Sequence, residues 1–405
     1  MNPSDSSLLR SARWLAFGSG AAIMVGIAPS QILLALAFAA LLASGEKMRL
    51  PRIRVALGLF LLLTVISLVF SENPRGGLPQ IRKFYVFLEL LVIFSLVRSV
   101  EMVRLLFLSW AGIGTVTAIR GFVQFAGKVR EAHRLGLNFY DFYVGERITG
   151  FTSHWNTYSA EEMFALIMLL AFLFFAPGAR KWRWPGAACA LLIAVAILLG
   201  ETRGIWIAMA AAGLYLVWFW KRWMVAAAPV LVLAGILLAP HAVQERFTSI
   251  FKPKGVDSNQ FRVVTWRTGL QMVKAHPWLG LGPEEPNRLF ERYVPADIPR
   301  PLPAGWYGHL HNIYLHYAAE RGIPTMLVML WLLLQILYDF WRGLQMLPPG
   351  ASNRRFLLHG GIAVVLATMA EGFVELNLGD SEVLTMFLVV VACGYLALEK
   401  ELAFD

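Results

Sequence analysis

Twelve apolar runs separated by short charged segments constrain this chain more than any other feature of its sequence. A membrane-spanning helix needs about 20 mostly apolar residues, with about 17 at the lower end. The 405 residues are 58% hydrophobic and 15% charged, whereas soluble domains contain roughly 25% charged residues. This composition excludes an ordinary cytosolic globule and a disordered chain, so we expect an all-α polytopic membrane protein with about twelve transmembrane helices. The runs lie near residues 14–28, 30–44, 55–70, 84–97, 104–126, 157–176, 185–199, 204–220, 223–240, 322–340, 356–375 and 382–398.

The basic residues indicate how the chain is oriented. Short cytoplasmic loops of membrane proteins are enriched in Lys and Arg, whereas long loops are translocated whatever their charge. With the N-terminus inside, short basic segments such as 47–54 and 180–183 fall on the cytoplasmic side, and the long segment 241–321 falls outside. We therefore expect both termini in the cytoplasm. The net charge of +10 then reflects anchoring of loops at membrane lipids and indicates no nucleic-acid partner.

One long loop divides the predicted transmembrane helices into two unequal groups. Residues 1–240 are expected to form nine transmembrane helices, 241–321 one large periplasmic loop, and 322–405 three more transmembrane helices with a short cytoplasmic tail. A loop of that length is usually functional or a small domain of its own. Within it we predict a helix over 259–275, capped by Ser258.

Two sets of arginines mark the predicted outer side. Arg203 begins an apolar run, and a charge at membrane depth is costly unless it faces protein or water. Arg262 and Trp266 are four residues apart and share a helix face, whereas Arg267 is turned away from Arg262. Because a guanidinium suits phosphate oxygens, these residues are candidates for an anion site. The alternative is that Arg203 snorkels to lipid headgroups and that the loop helix presents a solvated basic face.

Histidines concentrate just ahead of the run at 322–340. His309, His311 and His316 are three of the eight histidines, and an imidazole readily accepts a proton near neutral pH. A His-x-His pair could also bind a metal in an extended segment, but no convincing carboxylate partner lies nearby in the sequence. We therefore predict no metal. The plain alternative is a set of interfacial histidines hydrogen-bonded to backbone.

A further polar stretch covers residues 150–157. Asn156 could cap the helix that follows, or it could hydrogen-bond a sugar together with His154 while Trp155 offers a stacking face. All of these candidates fall on the outer side in one topology. Arginines suited to phosphate, with a histidine suited to proton transfer, indicate chemistry on a lipid-linked phosphate.

One segment resembles a known signature. His311-Asn312 is followed by nine residues and then by Gly322-Ile323-Pro324-Thr325, which resembles the His-[Asn/Ser/Gln]-x9-Gly-x-x-[Gly/Thr/Tyr] pattern of bacterial O-antigen ligases. Other marks of the wider O-antigen ligase and polymerase superfamily accompany it over roughly 145–330. They are Gly150 and Asn156 before a span, Thr202-Arg203-Gly204-Ile205-Trp206, Arg262-x3-Trp266 and Gly280-Leu281-Gly282.

The resemblance implies an inner-membrane glycosyltransferase with a GT-C-like fold and a periplasmic active site. Such ligases move a glycan from undecaprenyl diphosphate to a sugar of lipid A-core, without metal, ATP or another cofactor. Arg203 and Arg262 match the family's essential arginines, and His311 matches its essential histidine.

We therefore predict that the two arginines hold the donor diphosphate and stabilise the leaving group. His311 would take the proton of the acceptor hydroxyl in a single, inverting displacement. The remaining candidates are substrate-binding residues, of which Asn312 would orient the histidine. They are Arg267, Arg321, His309, Asn312, Asn156 and Trp266.

Three other functions remain open. A protein O-oligosaccharyltransferase uses the same donor and also carries paired histidines such as His309-x-His311, but it usually has a longer part after its last span. An O-antigen polymerase shares the large outer loop and the arginines. An anion or lipid transporter would suit twelve spans, although alternating-access sites lie near the membrane midplane, whereas the candidates here cluster on one side.

Overall fold

The twelve predicted apolar runs all fall on helices. A computed structural model describes residues 7–249 and 259–399, and no strand occurs among them. The α-helices are α1 Ser7–Ala22, α2 Ile27–Ala43, α3 Arg54–Val69, α4 Pro74–Arg82, α5 Leu88–Leu96, α6 Val100–Leu135, α7 Phe139–Gly145, α8 Trp155–Phe175, α9 Arg183–Leu199, α10 Arg203–Lys221, α11 Ala228–Leu238, α12 His241–Thr248, α13 Asn259–Ala275, α14 Glu285–Arg288, α15 Phe290–Tyr293, α16 Ile313–Arg321, α17 Ile323–Met346, α18 Asn353–Glu371 and α19 Ser381–Leu396. The 3-10 helices are Lys83–Phe87, Ala179–Trp182, Arg222–Ala227 and Asn377–Gly379.

Five of the described helical segments are long and apolar enough to cross a membrane. They are α6, α8, Ala179–Leu199, Arg203–Ala227 and α17. The apolar helices α2, α3 and α19 are shorter, with 16 or 17 residues each. These features confirm a helical membrane protein, while the total of about twelve spans and the GT-C-like arrangement stay predictions.

Helix α8 lies at the centre of the bundle. It packs against α6, α9, α10 and α18, and 83% of its most apolar stretch is buried. Its first turns also bury polar side chains, including Glu161 and Glu162, which must face protein because a polar group in contact with lipid tails is costly. The start of α8 meets the turn after α18, where Thr157 Oγ1 donates a hydrogen bond to Asp380 at 2.5 Å. The N-terminal end of α8 and the C-terminal end of α18 therefore lie at the same end of the bundle.

The large loop has a small apolar core of its own. The helix predicted over 259–275 is confirmed as α13, and Ser258, its predicted cap, lies outside the described residues. Beyond α13 the proline-rich stretch contains only the four-residue helices α14 and α15. Buried apolar side chains join these parts, including Val264, Met272, Leu281, Phe290 and Leu310.

The Gly280-Leu281-Gly282 motif fixes this loop to α16. The amide of Leu281 donates to the carbonyl of Ala319 at 2.9 Å, and the amide of Gly282 donates to Glu320 at 2.8 Å. Gly280 has a φ of +68°, and a Cβ there would collide with the backbone of Glu320. Glycine is required because only it combines a left-handed backbone with such a close approach.

The start of α16 is tied to the turn after α18. The amide of Ile313 donates to the carbonyl of Gly372 at 2.8 Å. The Asn312 side chain accepts from Leu315 N at 2.9 Å as the helix cap, and it donates to Phe373 O at 3.0 Å. Asn312 therefore shapes the backbone beside the histidines, and these contacts differ from the direct orientation of a histidine that the sequence predicted.

Candidate active site

One buried carboxylate, Glu375, contacts several of the predicted site residues. It lies beyond the end of α18, and its side chain is only 9% exposed. Its Oε1 atom is 3.2 Å from Nε2 of His309 and 3.2 Å from Nδ1 of His311. Its Oε2 atom accepts a hydrogen bond from the Asn156 amide at 3.1 Å and lies 3.5 Å from the Arg262 guanidinium. The start of α8, helix α13 and the segment before α16 thus meet at this residue.

These neighbours determine the charge of Glu375. Burial alone would raise its pKa, but the hydrogen bond and charge of His311 and the charges of His309 and Arg262 lower the pKa to about 2. Burial lowers the pKa of His309 to about 3, although Glu375 opposes this shift. At neutral pH the site therefore contains an ionised Glu375 beside a neutral His309.

Glu375 also bears on metal binding. No carboxylate partner of the His-x-His pair is evident nearby in the sequence, but the fold supplies a distant one, because ligand atoms of His309, His311 and Glu375 lie within 4.8 Å of one another. However, Nδ1 of His309 accepts the backbone N–H of His311 at 3.0 Å, so the ring proton of His309 is on Nε2 and faces Glu375. A metal bound at Nε2 of His309 would move the ring proton to Nδ1, where it would point at the backbone N–H of His311 and break that hydrogen bond. These side chains fit a hydrogen-bonded cluster better than a metal centre.

His311 is held in an unusual conformation. Its φ is +46°, a left-handed value that is uncommon for a non-glycine residue and often accompanies a functional site. Its Nε2 atom lies 3.2 Å from the Trp306 carbonyl, and its own carbonyl accepts the Trp266 indole N–H at 3.3 Å. Both ring nitrogens therefore face acceptors, since Nδ1 faces Glu375. An imidazolium satisfies both contacts, whereas a neutral ring satisfies one.

Arg262 has hydrogen-bond donors that none of the described residues accepts. A guanidinium carries five N–H groups, yet the polar contact of this side chain is the 3.5 Å approach to Glu375, and its buried Nε has no hydrogen-bond partner among the described residues. Burial lowers the pKa of Arg262, with Glu375 opposing the shift and Arg246 adding to it. This guanidinium can therefore accommodate an anion.

A cavity of about 490 Å³ lies beside this cluster. Its volume is within the range of about 300–1,000 Å³ that is common for small-ligand sites. His309, Asn156 and Glu375 contribute to its wall, whereas His311, Arg203 and Arg262 are not among the described residues that line it. The other polar lining residues include Gln80, Lys83, His316, Arg321 and Glu382, and the apolar part is lined by Phe60, Met329, Leu333, Phe387 and Leu388.

Arg203 belongs to a second, basic cluster. Its guanidinium donates to the hydroxyl and carbonyl oxygens of Ser249 at 3.2 and 3.3 Å. Arg246 and Arg147 both approach the carbonyl of Glu201, at 3.1 and 3.5 Å. Burial lowers the pKa of Arg147 to about 9, and the charges of Arg246 and Arg203 contribute to this shift. Glu201 opposes this shift. The charge of Arg246 also contributes to the lowered pKa of Arg262, so the two clusters interact through their charges.

Three predicted residues have other contacts. Arg267 forms a surface ion pair with Asp297 at 2.7 Å, so the structure does not bring it to the site. Arg321 lines the cavity, but its guanidinium is engaged by Glu320 at 2.7 Å and by Thr64 and Gln80. The cap interpretation of Asn156 is wrong, because the side chain of His154 caps α8.

Sequence reasoning missed Glu375 and Arg246. The predicted run 356–375 placed Glu375 inside a membrane span, but α18 ends at Glu371. The available signal was the group of acidic residues at 371, 375, 380 and 382, around the junction of the last two apolar runs on the predicted outer side. Arg246 gave no comparable signal, because it is one of many basic residues in a long loop.

A sequence model of the family described as O-antigen ligase matches residues 187–330 of the chain. The matched part contains Arg203, Arg262, His309 and His311 and ends before Glu375. No curated protein matches the chain. The match confirms the resemblance found in the sequence, and it supports an enzyme of the O-antigen ligase and polymerase superfamily.

Proposed function

We propose that the protein is an O-antigen ligase, which moves a glycan from undecaprenyl diphosphate to a sugar hydroxyl of lipid A-core at the periplasmic face of the bacterial inner membrane. The family match over 187–330 supports the superfamily. A location in a membrane is supported by the five described helical segments that are long and apolar enough to cross one.

The observation that carries the proposal is the meeting of Arg262, His309 and His311 at the buried carboxylate of Glu375. Glycosyl transfer from a diphosphate needs positive charge at the leaving group and a proton acceptor at the attacking hydroxyl. The arginine and the histidines of this cluster are side chains of these two kinds, and they lie next to a cavity.

The proposed reaction is a single displacement. The acceptor oxygen forms a bond to the anomeric carbon as the bond from that carbon to the diphosphate oxygen breaks, which inverts the configuration. The diphosphate leaves with the electron pair, and Arg262 and Arg203 stabilise its charge. His311 takes the hydroxyl proton on Nε2, the nitrogen that faces the Trp306 carbonyl, so the acceptor hydroxyl replaces this carbonyl contact.

The cavity suggests where the substrates lie. We assign its polar end, beside Asn156 and His309, to sugar groups and its apolar part, beside Leu333 and Phe387, to the first isoprene units of the donor tail. Its volume of about 490 Å³ is small for a long polyprenyl chain. The rest of the tail would therefore lie in the surrounding membrane.

Reconstitution into liposomes tests this function. Purified protein receives labelled undecaprenyl-diphosphate glycan without added metal or ATP, together with lipid A-core or with a periplasmic acceptor protein. Glycan on lipid A-core supports the ligase. Glycan on the protein identifies an O-oligosaccharyltransferase, elongation of the donor glycan identifies a polymerase, and binding without transfer to any acceptor contradicts the enzyme.

A further inference from the structure

We propose that Glu375 is a positioning residue for the transfer reaction, which fixes the two imidazoles of His309 and His311 in one orientation and balances the charge of Arg262. This inference rests on the proposed function. It assigns a role to a residue outside the part of the chain that the family match covers.

The first support is that both rings meet the same carboxylate. Nε2 of His309 lies 3.2 Å from Oε1 of Glu375, and Nδ1 of His311 lies 3.2 Å from Oε1 and 3.3 Å from Oε2. The partner of one ring nitrogen decides which nitrogen carries the proton. A carboxylate that accepts Nδ1–H of His311 leaves Nε2 to exchange a proton with substrate, as in other carboxylate–histidine pairs.

The second support is the rigid placement of the carboxylate. Oε1 also accepts the backbone N–H of Leu376 at 3.1 Å, and Oε2 accepts the Asn156 amide at 3.1 Å. Both oxygens thus face donors. A glutamine at this position would turn an NH₂ group towards one set of these donors, so it would disturb the cluster without a change in side-chain length.

The third support is the balance of charge. Arg262 is largely buried beside this carboxylate, and an unpaired buried charge is strongly unfavourable. The same carboxylate contacts both imidazoles, so its removal would change the charge beside all three groups at once. The titratable and charged groups that surround Glu375 are His154, His309, His311, Arg262, Glu371 and Asp380.

The test compares Glu375→Gln and Glu375→Asp in the full chain, reconstituted with donor and lipid A-core. Steady-state kcat, the donor KM and the pH dependence of kcat/KM are measured for each. We expect Glu375→Gln to lower kcat by roughly 10²–10⁴-fold, the range for a positioned proton-transfer group, with a smaller change in KM. The pH profile should differ from that of wild type, because the negative charge beside both imidazoles is lost. Glu375→Asp, which keeps that charge, should restore part of kcat.

Glu291→Gln is the matched control, because Glu291 is an exposed carboxylate of the same loop that pairs with Arg300. It should behave as wild type. A Glu375→Gln variant with wild-type kcat and pH profile, in an active preparation, would overturn the inference alone. An inactive wild-type protein would overturn the proposed function and the inference together. If the glutamine variant does not fold, the aspartate variant decides: a kcat below wild type with little change in KM supports positioning, and a wild-type kcat contradicts it.

Discussion

Nδ1 of His311 lies 3.2 Å from Oε1 of Glu375, although 64 residues separate them in the chain. The contact joins the segment before α16 to the turn after α18. It is supported from both sides, because Asn312 and Ile313 bond to the same turn through Phe373 and Gly372. The candidate site therefore depends on the large loop and on the last helices together.

Arg262 should act chiefly by stabilising the charge of the leaving diphosphate. We expect Arg262→Ala to lower kcat by about 10²–10³-fold, because it removes a charge placed at the leaving group. Arg262→Lys should recover only part of this loss, since an ammonium lacks the planar fork of donors. Steady-state kinetics in proteoliposomes measure both effects. Arg300→Ala, which removes an exposed ion pair with Glu291, is the control and should stay within a few-fold of wild type. Equal losses in the two alanine variants would contradict this role.

Acid should destabilise the folded protein through His309. Its folded pKa of about 3 is below the ordinary 6.5, so the unfolded chain binds an extra proton between these two values. The free energy of unfolding then falls as pH drops from 6.5 towards 3, by at most about 1.4 kcal/mol per pH unit for this group. Unfolding in detergent, followed from pH 7 to pH 4, measures the slope.

The variant His309→Gln lacks this titration and should show a flatter dependence on pH over the same range. His241→Gln is the control, because its imidazole is 82% exposed, and it should retain the wild-type slope. If His309→Gln loses stability with acid as steeply as wild type and His241→Gln do, then His309 is not a buried neutral ring.

Gly280 should be intolerant of a side chain. An added Cβ would meet the backbone of Glu320, and φ is +68°, so Gly280→Ala is expected to destabilise the docking of the loop by about 1–3 kcal/mol. Limited proteolysis of the loop and thermal unfolding measure this loss. Gly127→Ala, in helix α6 with open space around its Cβ, should instead be neutral or raise stability by about 0.5–1 kcal/mol. A reversed order of the two variants would contradict the packing described.

Much of the helical architecture could be predicted because hydrophobic runs and helix signals are local. The predicted runs fall on helices, and the helix predicted over 259–275 agrees with α13. Some ends were wrong where a local signal was weak. The predicted run 356–375 continues past Glu371, because Phe373 and Val374 are apolar and no proline marks the end of the helix.

The site was predicted only in part because its key contact is not local. His311 and Arg262 stood out through their residue types and spacing, and they do meet. Their common partner, Glu375, comes from a distant segment that carries no motif, and the sequence gives no distance between segments. Arg267 is also a candidate by residue type, but it forms an exposed ion pair with Asp297. That pairing depends on how the loop folds.

A single-turnover comparison of wild type with His311→Ala separates donor binding from glycan transfer. Both proteins are loaded with labelled undecaprenyl-diphosphate glycan in liposomes, donor binding is measured first, and lipid A-core is then added. We expect the variant to bind donor like wild type but to transfer glycan at least about 10²-fold more slowly, because the proton acceptor is missing. Equal rates of transfer in the two proteins would show that His311 takes no part in the reaction and would contradict its role as the proton acceptor.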